Sequence, residues 1–576
     1  MSLEILVEEY LATMKEDGEL DKFLPILLTA MGHVIISKPQ KGVRQSGGDL
    51  LSVGKDDDDG KKKVFVWVIK CGDIDRAAWN SGEQAVRQTL DSVVDVYLQA
   101  NLSPSRQHLP KKVCIVTNGE FKQNVQQEIT GYLRLYQERY QVETEEVNGS
   151  SLANWTGRHM LDERVLPEAQ RSLMRRALAN VELPEASIEH ARLLITGLFQ
   201  SARLATGSDR VRQRKVTGLL RAVALFNAIL FGWARQGNNL ESAYLAAEFS
   251  ILAAWAFVHE SEWGEKAWIR PLFTQFLAHY MVVTATYHAK LEPYYRTQGA
   301  FGIALRDSSL VAERVFEEIG RLGAASVTLA QMAKVPNAEL LSVAANDLAD
   351  KLVALLQTHT VCTVPCYDRN AIDISCGMAA LLMSRRVDSA REWLHGLVHR
   401  LVNALQSRIY APLSSDSFDD LVAIRHGQMT LHDDLLHVTT LVPTLALWCH
   451  KLNCPEEYTI LRERVLPLFN GATLNVWFAD KEYENLLASP AKLVESGFGT
   501  AIHLPDALDA LPSAFPNCSG DMLALDDFKA LRYGLAGVAF VASRHWKLQL
   551  PHDIPYKVST PLEDAACNFR KNPGAA

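Results

Sequence analysis

The run Val64 to Ile69 (VFVWVI) contains no polar side chain and is followed at once by Lys70. A strand of this kind carries apolar residues on both faces of its pleat, so both faces must be covered. The chain must therefore build a sheet with a layer on each side, and the flanking residues supply the parts. Residues 20–32 (LDKFLPILLTAMG) place Phe23, Leu24, Leu27, Leu28 and Met31 at helical spacing, with Pro25 early in the helix and Gly32 ending it. His33 to Ser37 (HVIIS) and Leu50 to Val53 read as strands. The polar run Lys55 to Lys63 (KDDDDGKKK) reads as a hairpin tip turning at Asp59-Gly60. Ser81-Gly82-Glu83-Gln84 has capping-box spacing and opens a helix to about Gln99. Lys112 to Thr117 is a second buried strand, residues 121–139 are helical, and Gln141 to Val147 alternates like an edge strand. The result is a mixed α/β domain of about 160 residues.

After Leu161 the pattern is helical. Helical periods are predicted at about 186–205, 211–236, 239–259, 266–289, 308–321, 338–357, 388–408, 430–452 and 455–468, with Pro443 kinking or splitting the eighth. No fixed-period repeat joins them. The expected organisation is an α/β domain over residues 1–162, an all-α bundle or irregular α-solenoid over 163–550, and a polar tail over 551–576. That agrees with a chain of 576 residues, too long for one core.

Composition excludes some classes of function. A net charge of −8 argues against a protein that coats nucleic acid along its whole surface, so any such contact is local. The N-terminus lacks a basic segment before its apolar residues, and Glu248 interrupts the apolar stretch Tyr244 to Val258. A cytoplasmic protein without a signal peptide or a membrane span is expected. The nine cysteines show no zinc-knuckle spacing and read as reduced, buried thiols. No phosphate-binding P-loop is present.

Chemistry concentrates at two strand ends. Asp49 closes the turn Gly47-Gly48-Asp49 at the start of one strand, and Lys70 ends the next. Alternation places Val68 and Lys70 on one face, where the paired strand can bring Asp49 beside them. An acid and a lysine meeting there can hold a divalent cation and a water against a phosphodiester.

The stretches LLTAMGH, RQSGGDLLSVG and VFVWVIK, with CIVTNG and VNGSSLANW after them, resemble the PD-(D/E)XK nuclease superfamily. Within it they are similar to the Mrr-like restriction endonucleases over residues 15–160. The resemblance implies a metal-dependent endonuclease acting on DNA with Mg²⁺ or Mn²⁺. Asp49 would be a metal ligand, Lys70 the catalytic lysine, and Asp21 an assisting carboxylate from the first helix. The superfamily carries Glu, Asp or Gln two residues before the lysine, whereas this chain has Val68. The remaining coordination would then come from the Ile69 carbonyl and from Asp21, Asp73, Asp75, Glu83 or Gln84. Arg44, Gln45 and Arg87 are candidates for nucleic-acid contact. By that implication a Val68→Glu exchange would leave metal-dependent activity undiminished.

Fusion of such a head to a long helical region resembles bacterial antiphage effectors. The helical part would then sense a trigger or bind a protein partner encoded nearby. An alternative is a nuclease fold without catalysis, holding nucleic acid or a partner in a larger complex. A third reading is a helical scaffold whose N-terminal domain only dimerises; nuclease domains of this type often act as dimers, and a homo-oligomer could pair through the edge near Gln141 to Val147. The cluster His426, His432, Asp433, Asp434 and His437 lacks metal-ligand spacing, and the aromatics around Trp255 read as core.

Overall fold

The computed structural model describes residues 3–12, 14–37, 49–81, 85–94, 106–160, 168–260, 266–305, 307–333, 339–469, 471–515, 523 and 527–559. The chain divides into two compact units, Met1–Ala243 and Tyr244–Ala576.

The first unit is built on a five-stranded mixed sheet: β1 (Val34–Ser37), β2 (Leu50–Lys55), β3 (Lys62–Lys70), β4 (Lys111–Thr117) and β5 (Glu143–Val147). The strands lie side by side in chain order. The β1–β2 and β2–β3 pairs are antiparallel, and β3–β4 and β4–β5 are parallel. Its helices are α1 (Leu3–Ala12), α2 (Asp21–Ala30), α3 (Arg76–Asn80), α4 (Val86–Ser92), α5 (Gln123–Tyr140), α6 (Gly149–His159), α7 (Glu168–Ala179), α8 (Pro184–Arg203) and α9 (Asp209–Gln236). Helix α9 returns against α1, and Arg235 of α9 pairs with Glu19 at 3.4 Å.

Strand β3 is covered on both faces, as its composition demands. Val64, Val66 and Val68 join Leu51 and Val53 in one apolar cluster with Val86 and Leu90 of α4 and Val125 and Ile129 of α5. On the other face Phe65 stacks on Trp67 at 5.6 Å, and Trp67 meets Trp155 of α6 edge-on at 6.3 Å. Ser52 is buried there, accepting the Trp67 indole N–H at 2.9 Å and lying 3.0 Å from His33 Nδ1. A Cβ on Gly54 would sit 2.4 Å from the His33 ring, so this strand position admits only glycine without rearrangement.

The β2–β3 hairpin turns at Asp59-Gly60 as expected, with Gly60 at φ +70°. Its charges are less superficial than the sequence suggests. Lys63 is buried and bonds Asp56 at 2.7 Å, Asp59 at 3.0 Å and Glu143 of β5 at 2.6 Å. Lys112 of β4 joins the same cluster through Asp56 at 3.1 Å, Asp58 at 2.8 Å and Glu145 at 3.0 Å. Burial alone would raise the Asp56 carboxyl, but hydrogen bonds from Lys63, the Asp58 N–H and Lys112 hold it below the ordinary carboxylate range. Strand β5 is the edge of the sheet, and these two ion pairs occupy its Glu143 and Glu145.

The second unit contains α10 (Glu241–Glu260), most of which belongs to it, with α11 (Arg270–Arg296), α12 (Ala300–Leu305), α13 (Ser308–Met332), α14 (Glu339–Thr358), α15 (Asn370–Met383), α16 (Val387–Ser407), α17 (Phe418–Arg425) and α18 (Leu441–Leu452). Small residues let α13 and α15 approach closely: a Cβ on Gly323 would lie 2.4 Å from the Cys376 carbonyl carbon. The region is not all-α. A three-stranded sheet, β6 (Val438–Thr439), β7 (Thr473–Ala479) and β8 (Gly497–Ile502), interrupts it.

The helix expected over 430–452 begins only at Leu441. The reason is the buried Asp368, whose carboxylate accepts the Thr440 N–H at 2.7 Å and the Leu441 N–H at 3.1 Å, capping α18 from a distant loop. Pro443 thereby falls in the first turn, where its missing N–H costs nothing. Residues 551–558 are not merely tail, since Asp553–Val558 forms a helical turn with Ile554 buried.

Helices α9 and α10 are long and apolar enough to cross a membrane, contrary to the expectation that no stretch reaches that length. Their apolar windows are 67% and 83% buried within the protein, which marks them as core helices. Six of the seven described cysteines are buried; the exception, Cys71, follows β3 directly.

Candidate active site at the end of the third strand

The β2–β3 register pairs Leu50 with Trp67 and Leu51 with Val66. Continued one step outward, it sets Asp49 opposite Val68, on the face that Val68 shares with Lys70. The Asp49 N–H donates to the Trp67 carbonyl at 3.0 Å, and the Asp49 side chain reaches along β3 to accept the Ile69 N–H through Oδ2 at 2.8 Å. Lys70 is half-buried and lies within electrostatic reach of Asp49.

A second carboxylate arrives from a segment that the sequence did not single out. Glu16 opens a π-type turn, Glu16–Leu20, and its Oε2 accepts the Cys71 N–H at 3.2 Å. The Cys71 thiol donates to the Met14 carbonyl at 3.1 Å. Asn118, at the end of β4, fixes the same segment: its amide nitrogen donates to the Leu11 and Met14 carbonyls at 2.7 and 2.9 Å, and its oxygen accepts the Gly72 N–H at 2.7 Å. The turn therefore sits beside the end of β3 because two loop residues hold it there. No hydrophobic period marks Glu16, and the acidic run Glu16-Asp17-Gly18-Glu19 is its only sequence signal.

Burial raises the Asp49 carboxyl above the usual carboxylate range. The Ile69 N–H and Lys70 pull it back, and Glu16 adds like-charge repulsion. Among the described residues, Asp49 Oδ1 and Glu16 Oε1 have no hydrogen-bond partner, so each carboxylate keeps one oxygen uncommitted.

The other candidates lie elsewhere or serve other roles. Asp21 opens α2 with its Oδ1 buried and without a hydrogen-bond partner, and no contact joins it to Asp49 or Lys70 among the described residues. Asp73 accepts the Glu120 N–H at 2.9 Å and pairs with Lys122 at 2.7 Å, and both bonds hold its carboxyl low. Asp75 caps α3 through the Ala78 N–H at 2.8 Å. Arg87 is exposed on α4, with its guanidinium 5.1 Å from the Tyr132 ring centre. Ile69 contributes its N–H to Asp49 and its side chain is buried on the opposite face, which leaves the candidate role of its carbonyl untouched. Arg44, Gln45, Glu83 and Gln84 lie outside the described residues. Val68 is fully buried in the apolar cluster and offers no ligand.

The donor set at this strand end is therefore two carboxylates and an amine, and no group of three or more His, Cys, Asp or Glu side chains converges among the described residues. Mg²⁺ is commonly held by one or two carboxylates with water and phosphate oxygens completing its octahedron. Asp49 and Glu16, each with a free oxygen, fit that minimal requirement. Compared with known protein families, characterised proteins and solved structures, the chain matches none.

Proposed function

We propose that the first unit is a metal-dependent endonuclease acting on DNA, with its centre at Glu16, Asp49 and Lys70. The observation that carries this reading is that two carboxylates from different elements take the N–H groups on either side of a half-buried lysine. Asp49 and Glu16 would hold Mg²⁺ or Mn²⁺, which when bound offsets charge on a scissile phosphate and acidifies water. Lys70, whose ammonium has three donors, would orient a phosphate oxygen or the attacking water. The Ile69 and Cys71 N–H groups fix the two carboxylates, so the centre is preorganised rather than gathered by substrate. A role in cytoplasmic antiphage defence is part of the proposal and rests on the resemblance in domain architecture alone.

The test is cleavage of supercoiled plasmid with Mg²⁺ or Mn²⁺ by the full chain, beside Lys70→Ala and Glu16→Gln. Nicking lost in both variants supports the centre. Nicking retained in both removes it.

A second reading, a nuclease fold that holds nucleic acid or a partner without cutting, is favoured by one specific observation. The position facing Asp49, where a third ligand would stand, is Val68 packed into the core. DNA binding by a chain that never nicks it, whatever the metal, would establish this reading instead.

A further inference from the structure

In the second unit a cavity of about 430 Å³ opens between the start of α13, the 360–364 turn, the C-terminal half of α16 and the end of α17. Its size falls within the roughly 300–1,000 Å³ of small-molecule sites. Arg400, Asn403 and Ser407 line it from one face of α16, at helical spacing, with Tyr410 just beyond and Arg425 opposite. Val361 and Val364 supply an apolar wall.

The electrostatics are one-sided. No carboxylate lines the cavity, and neither Arg400 nor Arg425 has an acidic partner within ion-pair distance among the described residues. Arg369, on the next turn of structure, shows the contrast: it pairs with Glu313 and Asp416, each at 3.0 Å. Arg425 is held in place by neutral contacts, to the Cys366 sulfur at 3.3 Å and the Ser308 carbonyl at 3.5 Å, and its guanidinium lies 5.5 Å from the Tyr410 ring centre. Its Nε–H is buried and has no acceptor among the described residues. Tyr410 keeps 49% of its surface exposed, leaving an aromatic surface at the rim.

We propose that this cavity binds a small phosphorylated ligand of nucleotide size. The phosphate is held by Arg400 and Arg425, Asn403 and Ser407 provide polar contacts, and the base lies against Tyr410 and the valine wall. Two unpaired guanidiniums suit a phosphate through bidentate hydrogen bonds, and an aromatic ring suits a base.

The experiment is titration calorimetry on the full chain with AMP, GMP, CMP and UMP, and with adenosine and inorganic phosphate as controls. At least one nucleotide is expected to bind in the micromolar range and at least ten-fold more tightly than either control. Arg400→Glu, an exposed position that leaves the fold intact, is expected to weaken that binding at least ten-fold at an unchanged melting temperature. Arg425→Lys, which keeps the charge and loses the fork, is expected to weaken it as well. No nucleotide binding at millimolar concentration would overturn the proposal. So would adenosine or phosphate binding as tightly as the nucleotide, or nucleotide affinity unaffected by Arg400→Glu.

Discussion

Asp49 and Glu16 accept alternate N–H groups of one strand end, those of Ile69 at 2.8 Å and Cys71 at 3.2 Å, and Lys70 lies between them. Alternate N–H groups of an extended chain point to the same side. The two carboxylates are thus brought to one edge of β3 by backbone geometry, although they belong to segments that are separate in sequence.

Asp49 is expected to lower stability while serving the site. Its folded carboxyl titrates above the ordinary value, so the proton it keeps favours folding at low pH, and that advantage is lost as pH rises through the raised value. Asp49→Asn removes the ionisation and can still accept the Ile69 N–H. In EDTA at pH 7 the variant is expected to melt above wild type, by about 2–4 °C for each kcal/mol released. The difference should close below about pH 4, where the aspartate is protonated in both folded and unfolded chains. A variant that melts lower than wild type at pH 7 would refute the burial cost.

Glu16 and Asp21 can be told apart by exchange. Glu16→Gln is expected to abolish metal-dependent cleavage, a fall of at least 100-fold. Asp21→Asn is expected to leave it within a few-fold, because no contact joins Asp21 to Asp49 or Lys70 among the described residues. Plasmid nicking rates at saturating Mn²⁺ measure both, and the reverse pattern would move the centre to α2.

The buried setting of Val68 changes what Val68→Glu should do. A carboxylate there enters the apolar cluster opposite Asp49 and is expected to cost about 3–5 kcal/mol without a cation. If Asp49 and Glu16 hold a divalent ion, the new ligand should recover part of that loss when Mn²⁺ is added. Melting curves with and without Mn²⁺ check this. A Mn²⁺-induced shift no larger than that of wild type would argue against an ion beside Asp49.

The cluster of Lys63, Lys112 and Asp56 makes the hairpin acid-sensitive. Asp56 titrates below its ordinary value, so its contribution is fully present above about pH 4 and fades as pH falls through the depressed value. Asp56→Asn leaves two buried ammonium groups short of charge and is expected to cost about 3 kcal/mol at neutral pH, limited by the remaining Glu143 and Glu145 contacts. Denaturant melts at pH 7 and pH 3 should show the penalty shrinking at the lower pH.

Asn118→Ala removes the three bonds that tie Leu11, Met14 and Gly72 together. With the side chain buried, the loss is expected to be about 2–3 kcal/mol. Cleavage should fall further than that destabilisation explains at a temperature where the variant is fully folded, since Glu16 loses its support. Full activity in the folded variant would show that the turn holds its place without Asn118.

The sheet was legible because its signals are local. An unbroken apolar run, a turn at Asp59-Gly60 and an alternating acidic strand each report on their own residues. The face shared by Asp49, Val68 and Lys70 followed from strand alternation alone. Glu16 was not legible because a π-type turn has no recurring apolar pattern and its position depends on Asn118. Asp75 gave no hint of α3 because a helix of five residues has too few positions to show a period. The start of α18 escaped because its cap, Asp368, is supplied by another loop. Lys63 read as one charge of a polar hairpin tip facing Asp56 to Asp59, and its burial, which depends on Glu143 across the sheet as well, was not legible from that run alone.

The tie through Asn118 also has a temporal meaning. A ribosome releases Glu16, Asp49 and Lys70 well before β4 has emerged, and until then the Leu11 and Met14 carbonyls lack the partner that holds the first turn against β3. The bonds from Asn118 to this turn form only once residue 118 is out and β4 has joined the sheet. A chain interrupted earlier during synthesis would carry all three side chains without the Asn118 bonds that hold the Glu16 turn beside β3.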